Sequence, residues 1–145
     1  MTELSAPPPL ADHLCFNLYA TSLKMTQLYK PLLARLRLTY PQYLVMLALW
    51  EEEGLGIGEL AARLQQDSGS ITPVVKRLEV EGYLVRGRDP KDERHRVLTL
   101  TTAGRALKQE GARIHARIGA ACSMPSAELQ RLMADLNRLA NNLAR

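Results

Sequence analysis

The chain has 145 residues, 46% of them hydrophobic and 23% charged, with a net charge of +4. That length favours one domain, and the apolar share excludes wholesale disorder. The mild positive excess permits a nucleic-acid partner. Two cysteines are too few for a cysteine zinc site, and no run approaches the roughly 18 apolar residues of a membrane span.

Pro7-Pro8-Pro9 rules out helix at the start, so residues 1–10 read as a flexible arm. Met1–Pro9 has neither the basic opening nor the apolar core of a secretory signal. A cytoplasmic location is therefore expected, where permanent structural disulfides are rare. Asp12 is the expected N-cap of a long first helix. Leu14, Leu18, Thr21, Met25, Leu28, Leu32 and Leu36 mark its apolar stripe, which Pro31 should interrupt and kink. Thr39 with Gln42 forms a capping box for a second helix running to Glu53, and Gly54–Gly58 breaks the chain.

A short helix over Glu59–Leu64, a turn over Gln66–Gly69 and a second helix over Ser70–Glu81 predict a helix-turn-helix. Gly82 stops its second helix, and Pro73 is tolerated because it falls in the first turn. Tyr83–Arg88 and Arg96–Leu100 alternate as strands around the charged turn Asp89–His95. Thr101 or Thr102 then caps a long helix with the stripe Leu107, Gly111, Ile114, Ile118 and Cys122. Pro125 separates the last helix, striped by Leu129, Leu132, Leu136, Leu139 and Leu143. The terminal helices carry more apolar stripe than so small a core can cover, which points to a homodimer, with intrachain pairing of the first and last helices as the alternative.

No G-x-G-x-x-G, P-loop or G-x-S-x-G is present, and His13, His95 and His115 lack metal-ligand spacing. No enzyme activity, cofactor, metal or membrane association is expected. The basic centre is the informative region. Arg86, Arg88, Lys91, Arg94 and Arg96 sit on a hairpin directly after the helix-turn-helix. Taken alone they are a solvated charged loop; in that place they read as a wing whose arginines reach the minor groove. Ser68, Ser70, Thr72, Lys76 and Arg77 on the preceding helix are the candidate base and phosphate contacts.

Asp92-Glu93-Arg94 followed by Val97–Thr101 resembles the D-x-R wing signature of MarR-family winged-helix regulators. Thr39–Tyr43 and Ser70–Glu79 are similar to that family too, so the resemblance runs from about Ala11 to the C-terminus. It implies a mostly α-helical winged helix-turn-helix with a small β-wing. Residues 39–101 would bind DNA, while 11–38 and 102–145 would interlock as dimerisation helices. Two copies would read a pseudo-palindromic operator, with Asp92 and Arg94 bracing the wing.

Asp12–Tyr19 (DHLCFNLY), Tyr29–Leu33 and Leu38–Tyr43 resemble one branch more closely, the organic-hydroperoxide-sensing OhrR repressors. In that branch a cysteine early in the first helix is hydrogen-bonded by two tyrosines, which match Cys15, Tyr29 and Tyr40. A cysteine in the first helical turn meets free N–H groups, which favour a thiolate, and tyrosine hydroxyls can donate to it. Its apolar neighbours Leu14, Phe16 and Leu18 act the other way, and a buried inert thiol is the ordinary alternative.

Cys15 and Tyr29 lie fourteen residues apart, about 21 Å along one helix and about 40° apart around its axis. They share a face but meet only if two copies pair antiparallel. In the two-cysteine type of this branch the oxidised cysteine forms a disulfide with a second one from the other subunit, and Cys122 matches that role. Beside Ala120 and Ala121 it also reads as a small stripe-filling residue. The resemblance thus implies a repressor that binds operator when reduced and leaves it when an organic hydroperoxide oxidises Cys15. Phe16, Leu18 and Met25 would favour organic over inorganic peroxide. A MarR-type repressor switched by a phenolic or lipophilic ligand, with inert cysteines, is one alternative; a thiol peroxidase is another.

Overall fold

The computed structural model describes residues 5–144, so the first four residues of the expected arm and the C-terminal Arg145 lie outside it. The chain divides into two compact units, Met1–Ile114 and His115–Arg145. From Pro8 onward the arm is tied down. Leu10–Asp12 wind into a 3-10 turn, and a His13 ring nitrogen lies 2.9 Å from the Pro8 carbonyl. The Asn17 amide donates to the carbonyls of Ala11 and His13. The expected Asp12 cap does not form. The Asp12 N–H closes the 3-10 turn onto Pro9, so the chain enters the helix one residue later, with His13 at the N-cap and no side-chain bond. Helix α1 (Leu14–Ala34) makes Cys15 its second residue. It continues through Pro31, which is exposed and removes only one backbone donor, and ends before Leu36.

Helix α2 (Tyr40–Glu51) starts at the expected capping box. The Gln42 N–H donates to Thr39 Oγ1 at 3.3 Å, and the Thr39 N–H donates to Gln42 Oε1 at 2.9 Å. Helix α3 (Ile57–Arg63) begins two residues early because Glu59 Oε1 reaches back to the Gly56 N–H. Helix α4 (Ser68–Val80) also begins early, because Asp67 rather than a serine is its cap and accepts from the Ser70 N–H at 2.8 Å. Pro73 therefore lies in the second turn, not the first. Gly82 takes the left-handed conformation (φ 83°) that ends the helix, as the sequence indicates.

Strand β1 (Leu84–Asp89) pairs antiparallel with β2 (Asp92–Leu100), from Leu84 opposite Leu100 to Arg88 opposite Arg96, with an irregularity at Arg88/Asp89. Residues 92–95 belong to the strand rather than to the loop expected there, so the tip is only Pro90-Lys91. Leu55 adds a third rung to the wing: the Leu98 N–H donates to the Leu55 carbonyl and the Gly54 N–H to the Leu98 carbonyl, both at 2.8 Å. Thr101 caps the next helix, accepting from the Gly104 N–H. That helix is broken at Leu107 into α5 (Thr102–Ala106) and α6 (Lys108–Cys122), and α7 (Ser126–Leu143) follows Pro125.

The core lies where α2, α3 and α4 meet the wing. Val45, Met46, Leu49, Leu60, Val75, Leu78, Leu84 and Leu98 are all at or below 1% exposure. Each such side chain contributes about 1.5–3 kcal/mol by leaving water. Glu53 ties the wing to α5: it accepts the Leu100 N–H at 2.8 Å and holds the Arg105 guanidinium through both carboxylate oxygens. The Arg105 hydrogen bond, helped by the Leu100 N–H, lowers the Glu53 carboxyl below its ordinary 4.5. A depressed folded value stabilises the protein above the unfolded value and is lost as pH falls through the folded one. Because Glu53 is about one-third exposed, Glu53→Gln should cost no more than about 1 kcal/mol at neutral pH. Urea unfolding of the variant should also show a flatter loss of stability on acidification below pH 4.5.

The terminal helices bury little within the chain. On α1, Leu14, Leu18, Leu23 and Leu28 are 38–58% exposed; on α7, Leu132, Met133, Leu136 and Leu143 are 40–71% exposed.

Candidate DNA interface and thiol site

Ile71, Val75 and Leu78 pin α4 to the core, so its opposite face is open and carries Lys76, Arg77 and the 86% exposed Val80. At the leading end, Ser68 and Ser70 are exposed and Thr72 half-buried. Their groups are partly committed: the Ser70 hydroxyl donates to Asp67 Oδ2 and the Thr72 hydroxyl to the Ser68 carbonyl. The Ser70 backbone N–H, then its hydroxyl, hold the Asp67 carboxyl below its ordinary range, which keeps it ionised as a cap. Between α4 and the α1–α2 turn runs a groove of about 530 Å³ flanked by Arg37, Lys76 and Arg77. Sequence reasoning passed over Arg37, which sits in the left-handed conformation (φ 56°) that turns the chain into α2.

In the wing, Arg88, Lys91, Arg94 and Arg96 are exposed. Asp92 Oδ1 accepts the Arg94 N–H at 3.0 Å and braces the backbone locally; Arg94 has no ion pair among the described residues. Arg86 differs from the other cations. It shares a strand face with Leu84, its guanidinium lies 3.8 Å from Glu79 of α4, and two of its nitrogens are buried. Arg88 lies on the same strand face but is exposed nearer the tip, so Arg86 is set apart by its burial against α4 and does not belong with the exposed cations.

Both cysteines are free: Cys15 exposed in the first turn of α1, Cys122 half-buried as the last residue of α6. Phe16 and Leu18 are 37% and 38% exposed and Met25 is half-buried, while Tyr19, one turn from Cys15, is 65% exposed. Tyr29 and Tyr40 do come together, across α1 and α2, with ring centroids 4.9 Å apart. Cys15 lies fourteen residues before Tyr29 on one continuous helix, about 21 Å away along its axis. Tyr43 completes the cluster, 5.7 Å from Tyr29 and 6.5 Å from Tyr40. Burial pushes the Tyr40 hydroxyl above 10.0; burial, then the charge of Tyr40, do the same for Tyr43. Both are therefore O–H donors at neutral pH. Sequence reasoning assigned Tyr43 no role of its own, although its i, i+3 spacing from Tyr40 puts both on one helix side.

A profile of the transcriptional regulators SarA/Rot matches residues 27–110. The organic hydroperoxide resistance transcriptional regulator of Bacillus subtilis is 41% identical over 134 residues, 92% of this chain and 91% of that protein. The chain is a winged-helix transcriptional regulator of the MarR/SarA type. The HTH-type transcriptional regulator TtmR of Methylorubrum extorquens is 42% identical to this regulator over 137 residues, 94% of this chain and 70% of that one. Among solved structures, reduced AbfR of Staphylococcus epidermidis bound to DNA superposes with a TM-score of 0.77 at 32% identity, covering 94% and 95% of the two chains. AbfR is also solved overoxidised on DNA (TM-score 0.75, 32% identity, 92% and 94% covered) and with a disulfide formed (0.66, 32%, 90% and 92%). The relatives are regulators rather than enzymes. Among the described residues of this regulator, no helix is long and apolar enough to cross a membrane and no cluster of metal-binding side chains occurs.

Proposed function

We propose that the regulator is a cytoplasmic homodimeric repressor that holds a pseudo-palindromic operator when reduced and leaves it when an organic hydroperoxide oxidises Cys15. One observation carries this reading. An exposed thiol stands at the start of α1, Tyr29 stands near its end on the same helix face, and Tyr40 of α2 packs against the Tyr29 ring. Two α1 helices paired antiparallel, seam to seam, would set each Cys15 against the tyrosines of the other subunit. Their exposed Leu14, Leu18 and Leu28 supply the apolar seam.

The Cys15 thiolate attacks one peroxide oxygen, the O–O bond breaks, and the leaving alkoxide takes a proton to become an alcohol. The resulting sulfenic acid is attacked by the Cys122 thiolate of the partner subunit; the S–S bond forms and the hydroxide leaves as water. Two thiols and one hydroperoxide thus give one disulfide, one alcohol and one water. AbfR is solved on DNA both reduced and overoxidised, and also with a disulfide formed. That supports disulfide formation, rather than oxidation of a single thiol, as the releasing step here. The new disulfide shifts the helices at the dimer interface and moves the two α4 helices off the spacing of their half-sites.

Lys76, Arg77 and the exposed wing cations Arg88, Lys91, Arg94 and Arg96 make the DNA contacts in this reading, with Asp92 and Arg94 bracing the tip. Arg94→Ala should weaken operator binding by about 1–2 kcal/mol, roughly tenfold, and lower the salt slope by about one. The function itself is tested with a duplex selected from random sequence by the reduced protein. Fluorescence anisotropy should show binding, release by cumene hydroperoxide and recovery with dithiothreitol. Binding that ignores the hydroperoxide overturns the thiol switch. It leaves the second reading, a ligand-switched repressor, which the groove of about 500 Å³ between α1 and α2 beside Leu33, Leu38 and Tyr40 favours.

A further inference from the structure

Tyr43 is 1% exposed, and its ring leans on the Tyr29–Tyr40 pair on one side and on Trp50, 6.2 Å away and edge-on, on the other. Its hydroxyl donates to the backbone carbonyl of Gly111 in α6 at 3.2 Å. About two turns further along α2, Trp50 Nε1 donates to the carbonyl of Gly104 in α5 at 2.9 Å. α6 approaches α2 so closely there that a Cβ on Gly111 would lie 2.6 Å from the Trp50 ring. One side of α2 thus links the tyrosine pair, through rings and two hydrogen bonds, to the backbone of the helices that follow the wing. The other side of α2 packs into the DNA-binding core through Val45 and Leu49.

We infer that Tyr43 is the positioning residue that couples the tyrosine pair to α6: its ring seats Tyr29 and Tyr40, and its hydroxyl passes their displacement to Gly111. The inference rests on the thiol-switch reading. When Cys15 oxidises and moves from the tyrosine hydroxyls, the pair repacks. A ring wedged between that pair and Trp50 has no free volume in which to absorb the change. The hydroxyl then drags or releases the Gly111 carbonyl, and α6, which ends at Cys122, shifts with it. The hydroxyl contributes to coupling rather than to the reaction of the thiol.

Tyr43→Phe keeps the ring stack and deletes only this bond. Reduced Tyr43→Phe should bind the selected duplex within about twofold of wild type and lose its Cys15 thiol to cumene hydroperoxide at the wild-type rate, while the ratio of reduced to oxidised affinity shrinks ~10-fold, within the usual range of site coupling. An unchanged ratio overturns the inference. So does thiol oxidation slowed as much as release, which would place the hydroxyl in the chemistry, and so does loss of binding in the folded, reduced variant. If Tyr43→Phe does not fold, amide hydrogen exchange of the wild type takes its place: protection around Gly111 should change when Cys15 is oxidised, and unchanged protection overturns the inference. Wild-type protein run alongside separates the two ideas: if it too ignores hydroperoxide, the thiol switch has failed; if it responds and Tyr43→Phe responds equally, only the coupling has.

Discussion

Cys15→Ser should bind operator as the reduced wild type does and stay bound at ~100 times the hydroperoxide that releases the wild type, because the thiolate, not an alcohol, attacks the peroxide. The serine changes one atom of an exposed side chain in the first turn of α1. Stability should stay within about 0.5 kcal/mol, the range of ordinary surface substitutions. Two titrations separate the outcomes. Lost binding before any oxidant would mean that the sulfur supports the DNA-binding conformation rather than senses. Release at the wild-type concentration would mean that the oxidant acts elsewhere, with Cys122 the next thiol to examine. The ligand-switched reading makes a different prediction: both proteins would respond equally to a bound small molecule.

Gly104→Ala should be the most damaging single-atom change in the winged helix, costing about 3 kcal/mol or more by overpacking. The added Cβ would stand 2.0 Å from the Tyr83 carbonyl oxygen and 3.0 Å from its carbon. That backbone has little freedom. The Tyr83 N–H donates to the Leu78 carbonyl, the Thr101 N–H to the Tyr83 carbonyl, and the Tyr83 hydroxyl to the Leu36 carbonyl. The Gly104 N–H is itself held by the Thr101 cap, and its carbonyl receives Trp50. Relief would have to shift the end of the wing, the start of α5 or the α2–α5 contact. Gly58→Ala is the matched control: nothing lies within 4 Å of its Cβ, and alanine gains up to about 1 kcal/mol in helix propensity. Urea unfolding of the pair checks both signs.

Local chemistry in the sequence carries much of this fold. The Thr39–Gln42 capping box, the Gly82 stop and the apolar run through α2 each have one physical solution, and each occurs. The reading slips where the chain offers competing solutions. Asp67, Ser68 and Ser70 are all good caps, and Asp67 wins because its carboxylate accepts from both the Ser70 N–H and its hydroxyl. Asp12 was an equally good cap in isolation, but its N–H is used by a turn that starts at the prolines. Arg86 looked like its neighbours in a cationic list. Its place opposite Leu98 and beside Glu79 of α4, with two nitrogens buried, separates it from Arg88 on the same strand face.

The candidate site divides in the same way. The wing and α4 cations follow from position after a helix-turn-helix, and Tyr29 and Tyr40 were legible from resemblance. Tyr43 was not, because a buried tyrosine on an apolar stripe reads as packing until its hydroxyl is seen to reach sixty-eight residues along the chain to Gly111. Arg37 was hidden for another reason: its place beside Lys76 and Arg77 depends on a left-handed residue in the α1–α2 turn. The pairing of Cys15 with the tyrosines came only from resemblance, since within one chain the continuous α1 separates the thiol from Tyr29.

Non-reducing electrophoresis of the wild type, taken from the same tube in which operator binding is followed during titration with cumene hydroperoxide, tests the proposed switch most directly. A covalent dimer should appear in proportion to the DNA released, dithiothreitol should reverse both, and Cys122→Ser should give neither dimer nor full release. Release with the band still at the monomer position would contradict the switch.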